Sequence, residues 1–160
     1  MTFSWRSMQG DFARRFNLSQ KLTEFRPESS ENLFWLAESY RTLGPRAPQL
    51  TEKELTNSAK KDAAKKREKR TPEEEERDLL ATEAGRQNWK TNQQKSEDFY
   101  LRSLKVENPA PLAHRGLGML YEKEGRTKDA IEEYQKYLEL SPDALDRERI
   151  ERRIQLLKVS

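Results

Sequence analysis

Side chains suited to catalysis are sparse in this sequence, and their spacing assembles no known reaction centre. His114 is the only histidine among 160 residues, and cysteine is absent. That removes thiolate nucleophiles, disulfides and zinc knuckles, and leaves a zinc ion only carboxylates and one imidazole as ligands. His-Glu-x-x-His, a phosphate-binding glycine loop and Gly-x-Ser-x-Gly are missing too, the glycines being scattered. His114 shares a helical face with Leu117, Gly118 and Tyr121, so a packed imidazole with one hydrogen-bond partner is expected there, not a general base. No catalytic residue, cofactor or metal site is predicted, and the chain itself is not expected to be an enzyme, although a parent protein could be one.

Two charged runs are the other candidates. Glu73, Glu74, Glu75 and Glu76 fall in the first turn of a predicted helix, where the helix dipole favours negative charge by about 0.3–1 kcal/mol each and mutual repulsion keeps the carboxylates in solvent. Lys60, Lys61, Lys65, Lys66, Arg67, Lys69 and Arg70 stand against Asp62 and Glu68, a net +5 in eleven residues. Such a patch suits phosphates or an anionic membrane surface. No aromatic residue is interleaved for base stacking, however, and the acidic turn that follows nearly cancels the field beyond a Debye length of about 8 Å. A solvated surface is the expected reading, and the overall +3 charge is too small to require a polyanion. Nucleic-acid or anionic-surface binding through 60–70 stands as the alternative function.

The elements that must position any binding surface are helical. At 33% hydrophobic and 37% charged the chain is lean in core and rich in solvated surface, and its length predicts one domain. No apolar run approaches the roughly 18 residues of a membrane span, and the basic-then-apolar layout of a secretion signal is missing. A soluble segment is expected, with compartment and oligomeric state unread.

The most informative stretch runs from Pro111 to Pro142. His114, Leu117, Gly118 and Tyr121 line one helix, Gly125 follows it, Ala130 and Tyr134 open the apolar face of a second, and Pro142 stops that one. Gly118 lets the second helix come close, and Ala130 and Tyr134 offer one small and one large surface at the crossing. This order of residues resembles the tetratricopeptide repeat, a helix-turn-helix unit of 34 residues. It departs from that pattern at His114, where the family most often has Trp, and at Tyr137, where a small residue is usual.

A copy of the first helix lies at Glu31–Gly44. Leu33, Leu36, Ala37, Tyr40 and Gly44 each precede His114, Leu117, Gly118, Tyr121 and Gly125 by 81 residues. Its second half has a different offset, since Ser96, Tyr100, Leu104 and Val106 precede Ala130, Tyr134, Leu138 and Leu140 by 34. The offsets differ by 47 residues, so an insertion separates the two helices of one repeat. Within it, Thr51 with Glu54 predicts a capped helix reaching about Arg70, and Thr71, Pro72 and Glu74 predict a second capped start. From Pro72 the helical pattern continues past Gly85 to Val106, about 52 Å if unbroken. A protruding hairpin is expected, with Leu55, Ala59 and Ala63 meeting Leu79, Leu80 and Ala84 across a thin seam.

Before these units, Phe12, Phe16, Leu22 and Phe25 predict a helix over Asp11–Phe25 stopped by Pro27. It reads either as the second helix of a repeat whose first is missing, in a chain cut from a longer protein, or as an opening capping helix. Phe3, Trp5 and Met8 look like the remnant of an earlier helix. After Pro142, Ile150, Ile154 and Leu157 predict one terminal helix from Asp143 to Lys158, and the polar outer face of this 143–160 segment is expected to cap a solenoid.

The expected fold is therefore all-α, a right-handed solenoid of helical hairpins similar to tetratricopeptide repeats. It comprises a partial repeat at 11–27, an interrupted repeat at 30–44 plus 92–109, a charged insertion at 45–91, a complete repeat at 111–142 and a capping helix. The resemblance implies a protein-interaction or scaffolding role, with first helices lining a groove for a peptide or protein surface. Its groove-facing slots hold Phe34, Glu38 and Arg41 in one helix and Arg115, Met119 and Glu122 in the next, while Trp35 is expected to pack. Family members that clamp a C-terminal carboxylate use Lys and Asn at such slots, and here only Arg115 is comparable. By analogy, the module would suit an accessory arm of a larger bacterial protein such as a membrane-associated metallopeptidase.

Overall fold

The computed structural model describes residues 5–47 and 71–160, with side chains from Arg14 onward. The basic run Lys60–Arg70, the Thr51–Glu54 cap and the Leu55, Ala59 and Ala63 seam lie outside the described residues. Within them the chain forms seven helices and no strand: α1 Trp5–Phe25, α2 Ser30–Leu43, α3 Pro72–Ala81, α4 Glu83–Lys105, α5 Leu112–Lys123, α6 Thr127–Leu140 and α7 Arg147–Val159. No described helix is long and apolar enough to cross a membrane.

Local signals explain where the helices start and stop. Ser29 caps α2 by accepting the Asn32 N–H. The Thr71 hydroxyl accepts the Glu74 N–H while the Glu74 carboxylate accepts the Thr71 N–H, the reciprocal box read from the sequence. After α5, Gly125 turns to φ +76°. The Arg126 N–H then reaches Tyr121 O at 2.8 Å and the Gly125 N–H reaches Glu122 O at 3.0 Å, a Schellman closure that a side chain at Gly125 would strain.

Packing then joins these helices into successive antiparallel pairs. α5 lies on α6, and α2 on α4 despite the long stretch between them in sequence. At the first crossing a Cβ on Gly118 would sit 2.6 Å from the Tyr134 ring, which is the close approach expected there. One Cβ on Gly116 would meet the Tyr100 ring at 2.4 Å, so the pairs interlock as well. Between α2 and α4, Ser96 donates to Ala37 O at 2.9 Å, and Tyr40 stacks on Phe99 with centroids 5.7 Å apart. A continuous core runs from Phe34 and Ala37 through Tyr100, Leu117, Leu120, Tyr134 and Leu138 to Ile150 and Ile154 of α7. Each such aromatic or aliphatic side chain, fully buried, contributes about 1.5–3 kcal/mol against exposure. A smaller cluster of Phe16, Leu36, Tyr40 and Leu43 ties α1 to α2.

Three expectations are corrected. The predicted continuous helix from Pro72 to Val106 is broken at Thr82, whose backbone is extended. There the Thr82 hydroxyl accepts the Gly85 N–H and donates to Leu79 O, ending α3 and starting α4 at one residue. Instead of protruding with α4 as one rod, α3 turns so that Glu75 meets Arg46 at 3.6 Å and Glu76 meets Lys123 at 2.7 Å. At the N-terminus, residues 5–10 belong to α1 and are not a separate remnant. Helix α7 starts at Arg147, because turns closed by Ala144 N–H to Ser141 O and Arg147 N–H to Ala144 O precede it.

Candidate protein-binding groove

The groove residues expected on α2 and α5 fall on neighbouring helices, in contact with each other, but they are not equally available. Phe34 is the clear correction. It is 3% exposed and tilts against Tyr100 in the core, whereas Trp35, expected to pack, is 51% exposed. Helix α2 is flanked by α1, α4 and α5, so its buried arc is wide enough to take in Phe34.

Glu38 and Arg41 form one charged unit built on a buried phenol. The Tyr100 hydroxyl donates to Glu38 Oε1, Arg41 Nε donates to the Tyr100 oxygen at 3.0 Å, and Arg41 Nη2 donates to Glu38 Oε2 at 2.8 Å. Burial, with Glu38 beside it, pushes the Tyr100 phenol well above its ordinary value. Burial disfavours the charged Arg41 guanidinium, but Tyr100 and Glu38 outweigh it and the group stays charged.

Arg115, Met119 and Glu122 share one face of α5, and the two charges are tied to α6 and α7. The Glu122 carboxylate accepts from the Tyr134 hydroxyl at 2.9 Å and from Arg153. Arg115 donates to Asp146 at 2.9 Å and lies over the Tyr137 ring, and the Tyr137 hydroxyl donates to the same Asp146 carboxylate at 2.8 Å. Burial alone would raise the Asp146 carboxyl, but Tyr137 and Arg115 more than offset it and hold it below the usual carboxylate range. Met119 stands 39% exposed between the two ties.

The two departures from the repeat pattern have local explanations. His114 Nδ1 lies 2.6 Å from Glu133 Oε2, so a polar pair replaces the usual indole at this crossing. Burial pushes the Glu133 carboxyl up, while His114 and Lys136 pull it further the other way, so it is net lowered. The large Tyr137 side chain lets its hydroxyl reach Asp146, the residue just before α7. Sequence reasoning missed Tyr100, Asp146 and Arg153, and the oversized Tyr137 was the one signal that a partner lay beyond the helical pair.

The geometry defines an all-helical stack of packed helix pairs, with polar groups fixed along α2 and α5. Comparison with protein families then gives the unit a name: residues 111–144 match the tetratricopeptide repeat model, so the α5–α6 pair is a tetratricopeptide repeat. Such repeats generally mediate protein–protein interaction. The match lies wholly within that segment and says nothing of a larger protein around it. Searches of curated proteins and of solved structures return no match for the chain.

Proposed function

We propose that the chain is a protein-interaction or scaffolding module that holds a peptide or protein surface along α2 and α5. Helices α2 and α4 act in it as two halves of one repeat interrupted between 45 and 91. The observation that carries this reading is the fixing of Glu38, Arg41 and Glu122 by buried tyrosines beside a half-exposed Met119. Charges held in place lose little freedom on binding, and the flexible Met119 thioether on the same face of α5 as Glu122 adapts to an apolar side chain. The surface suits a partner that carries both charge signs around an apolar anchor.

A photo-crosslinking residue at Met119 tests this, with the same residue at the fully exposed Leu145 as control. Discrete adducts from Met119, lost when Glu122→Gln and Arg41→Gln are added, are the expected result. Identical adducts at both positions, or adducts indifferent to the added changes, would move the binding surface elsewhere.

A further inference from the structure

Helix α1 carries a second surface, unrelated to the groove. Leu18, Leu22 and Phe25 are 57%, 41% and 78% exposed and recur at helical spacing along one stripe. The opposite side of α1 holds Phe16, Ser19 and Thr23 against α2, with Ser19 to Ser39 at 3.3 Å and Thr23 to Asn32 O at 3.4 Å. The stripe is therefore a face that no described helix covers.

Register identifies what belongs there. The same 81-residue offset that relates α2 to α5 relates α1 to α4, placing Leu18, Leu22 and Phe25 at the positions of Phe99, Ser103 and Val106. In α4 that face is covered: Phe99 stacks on Tyr40 of α2 and Ser103 is fully buried. By position, α1 is one half of a helical pair whose other half would be an antiparallel helix. Charge narrows the partner. At 3.6 residues per turn, Arg14 and Lys21 run along one border of the stripe and Arg15 and Arg26 along the other, while Glu24 falls on the far side. Arg14, Arg15 and Lys21 have no ion-pair partner among the described residues, and Arg26 lies over the Phe25 ring, 5.9 Å from its centroid.

We propose that this face docks an amphipathic helix of a partner protein whose apolar stripe is bordered by acidic residues. The experiment uses the full chain and two stapled helical peptides of about 16 residues, enough to cover the roughly 20 Å from Arg14 to Arg26. One carries a leucine stripe with Glu borders and the other the same stripe with Lys borders. Fluorescence anisotropy is expected to show the Glu-bordered peptide binding roughly tenfold or more tightly, because like charges across the joint are penalised. The double variant Leu22→Ser/Phe25→Ser changes two exposed side chains and should keep the melting temperature while losing roughly tenfold in affinity. Equal binding of both peptides, or no loss in the variant, overturns the proposal.

Three further outcomes also overturn it, each naming another occupant. Binding to phosphatidylglycerol vesicles without binding to the Glu-bordered peptide assigns the face to a membrane. A sedimenting dimer abolished by the double variant assigns it to a second copy. Slow maleimide labelling of Leu22→Cys, readable because the chain has no cysteine, assigns it to a segment of the same chain.

Discussion

Replacing Gly118 with alanine tests the helix crossing on which the architecture depends. In an exposed helix the change would stabilise by about 1 kcal/mol through helix propensity. Here the new Cβ lies 2.6 Å from two Tyr134 ring carbons and 3.0 Å from a third, so the ring must retreat by roughly 1 Å to reach ordinary contact. Tyr134 is buried, and its hydroxyl is fixed to Glu122. Retreat therefore costs about 1–3 kcal/mol of overpacking and weakens a hydrogen bond to a charged group worth about 1.5–3 kcal/mol. A net loss of about 2–4 kcal/mol follows, seen as a fall in Tm of roughly 5–15 °C at this chain length. Thermal and urea denaturation of Gly118→Ala, Tyr134→Leu and the double variant measure it. The double variant should recover part of the loss, giving a coupling above about 1 kcal/mol. A Gly118→Ala chain as stable as the parent, or additive single effects, would refute the crossing.

Two further outcomes follow from the charged contacts. The Glu133 and Asp146 carboxyls are held below their ordinary range, so the unfolded chain binds more protons in acid; the stability they contribute is complete above the unfolded carboxylate value of about 4 and is lost as pH falls through the lower folded value. Tm should therefore decline between about pH 5 and pH 3, and Glu133→Gln with Asp146→Asn should flatten that decline; an unchanged profile would contradict the pairs. Helix α3 has no buried residue and meets Arg46 and Lys123 through half-exposed ion pairs, so Glu75→Ala/Glu76→Ala should cost less than about 1 kcal/mol yet speed hydrogen exchange in 72–81. Unaltered exchange would mean that α3 is held by something other than those ions.

Much of this arrangement was legible in the sequence because its deepest contacts are local. Leu117, Gly118, Tyr121, Ala130 and Tyr134 meet within one helical pair, so their spacing records the packing directly. The offsets of 81 and 34 residues carried the same logic to α2 and α4. Angular choices between adjacent aromatics were not legible: Phe34 and Trp35 differ by one step around a helix, and which one is buried depends on how many neighbours surround α2. The break at Thr82 was hidden as well, since Thr82 and Gly85 read as tolerable interruptions until their hydrogen bonds are seen. Ties such as Arg115 to Asp146 and Arg153 to Glu122 join helices whose relative placement no single-helix pattern encodes. That Arg115, Met119 and Glu122 share one face of α5 was readable from their spacing, and the interior status of Phe34 was not.

The phenol of Tyr137 meeting Asp146 bears on protein engineering. Helix α7 is keyed to the α5–α6 pair by an acid at its threshold and, two turns along, by a cation, Arg153. A graft of α7 onto another stack would have to find a matching tyrosine, arginine and glutamate on the host, or its charges would face no partners. Shuffled libraries built from this segment should therefore be cut before Pro111 and never between Leu140 and Arg147.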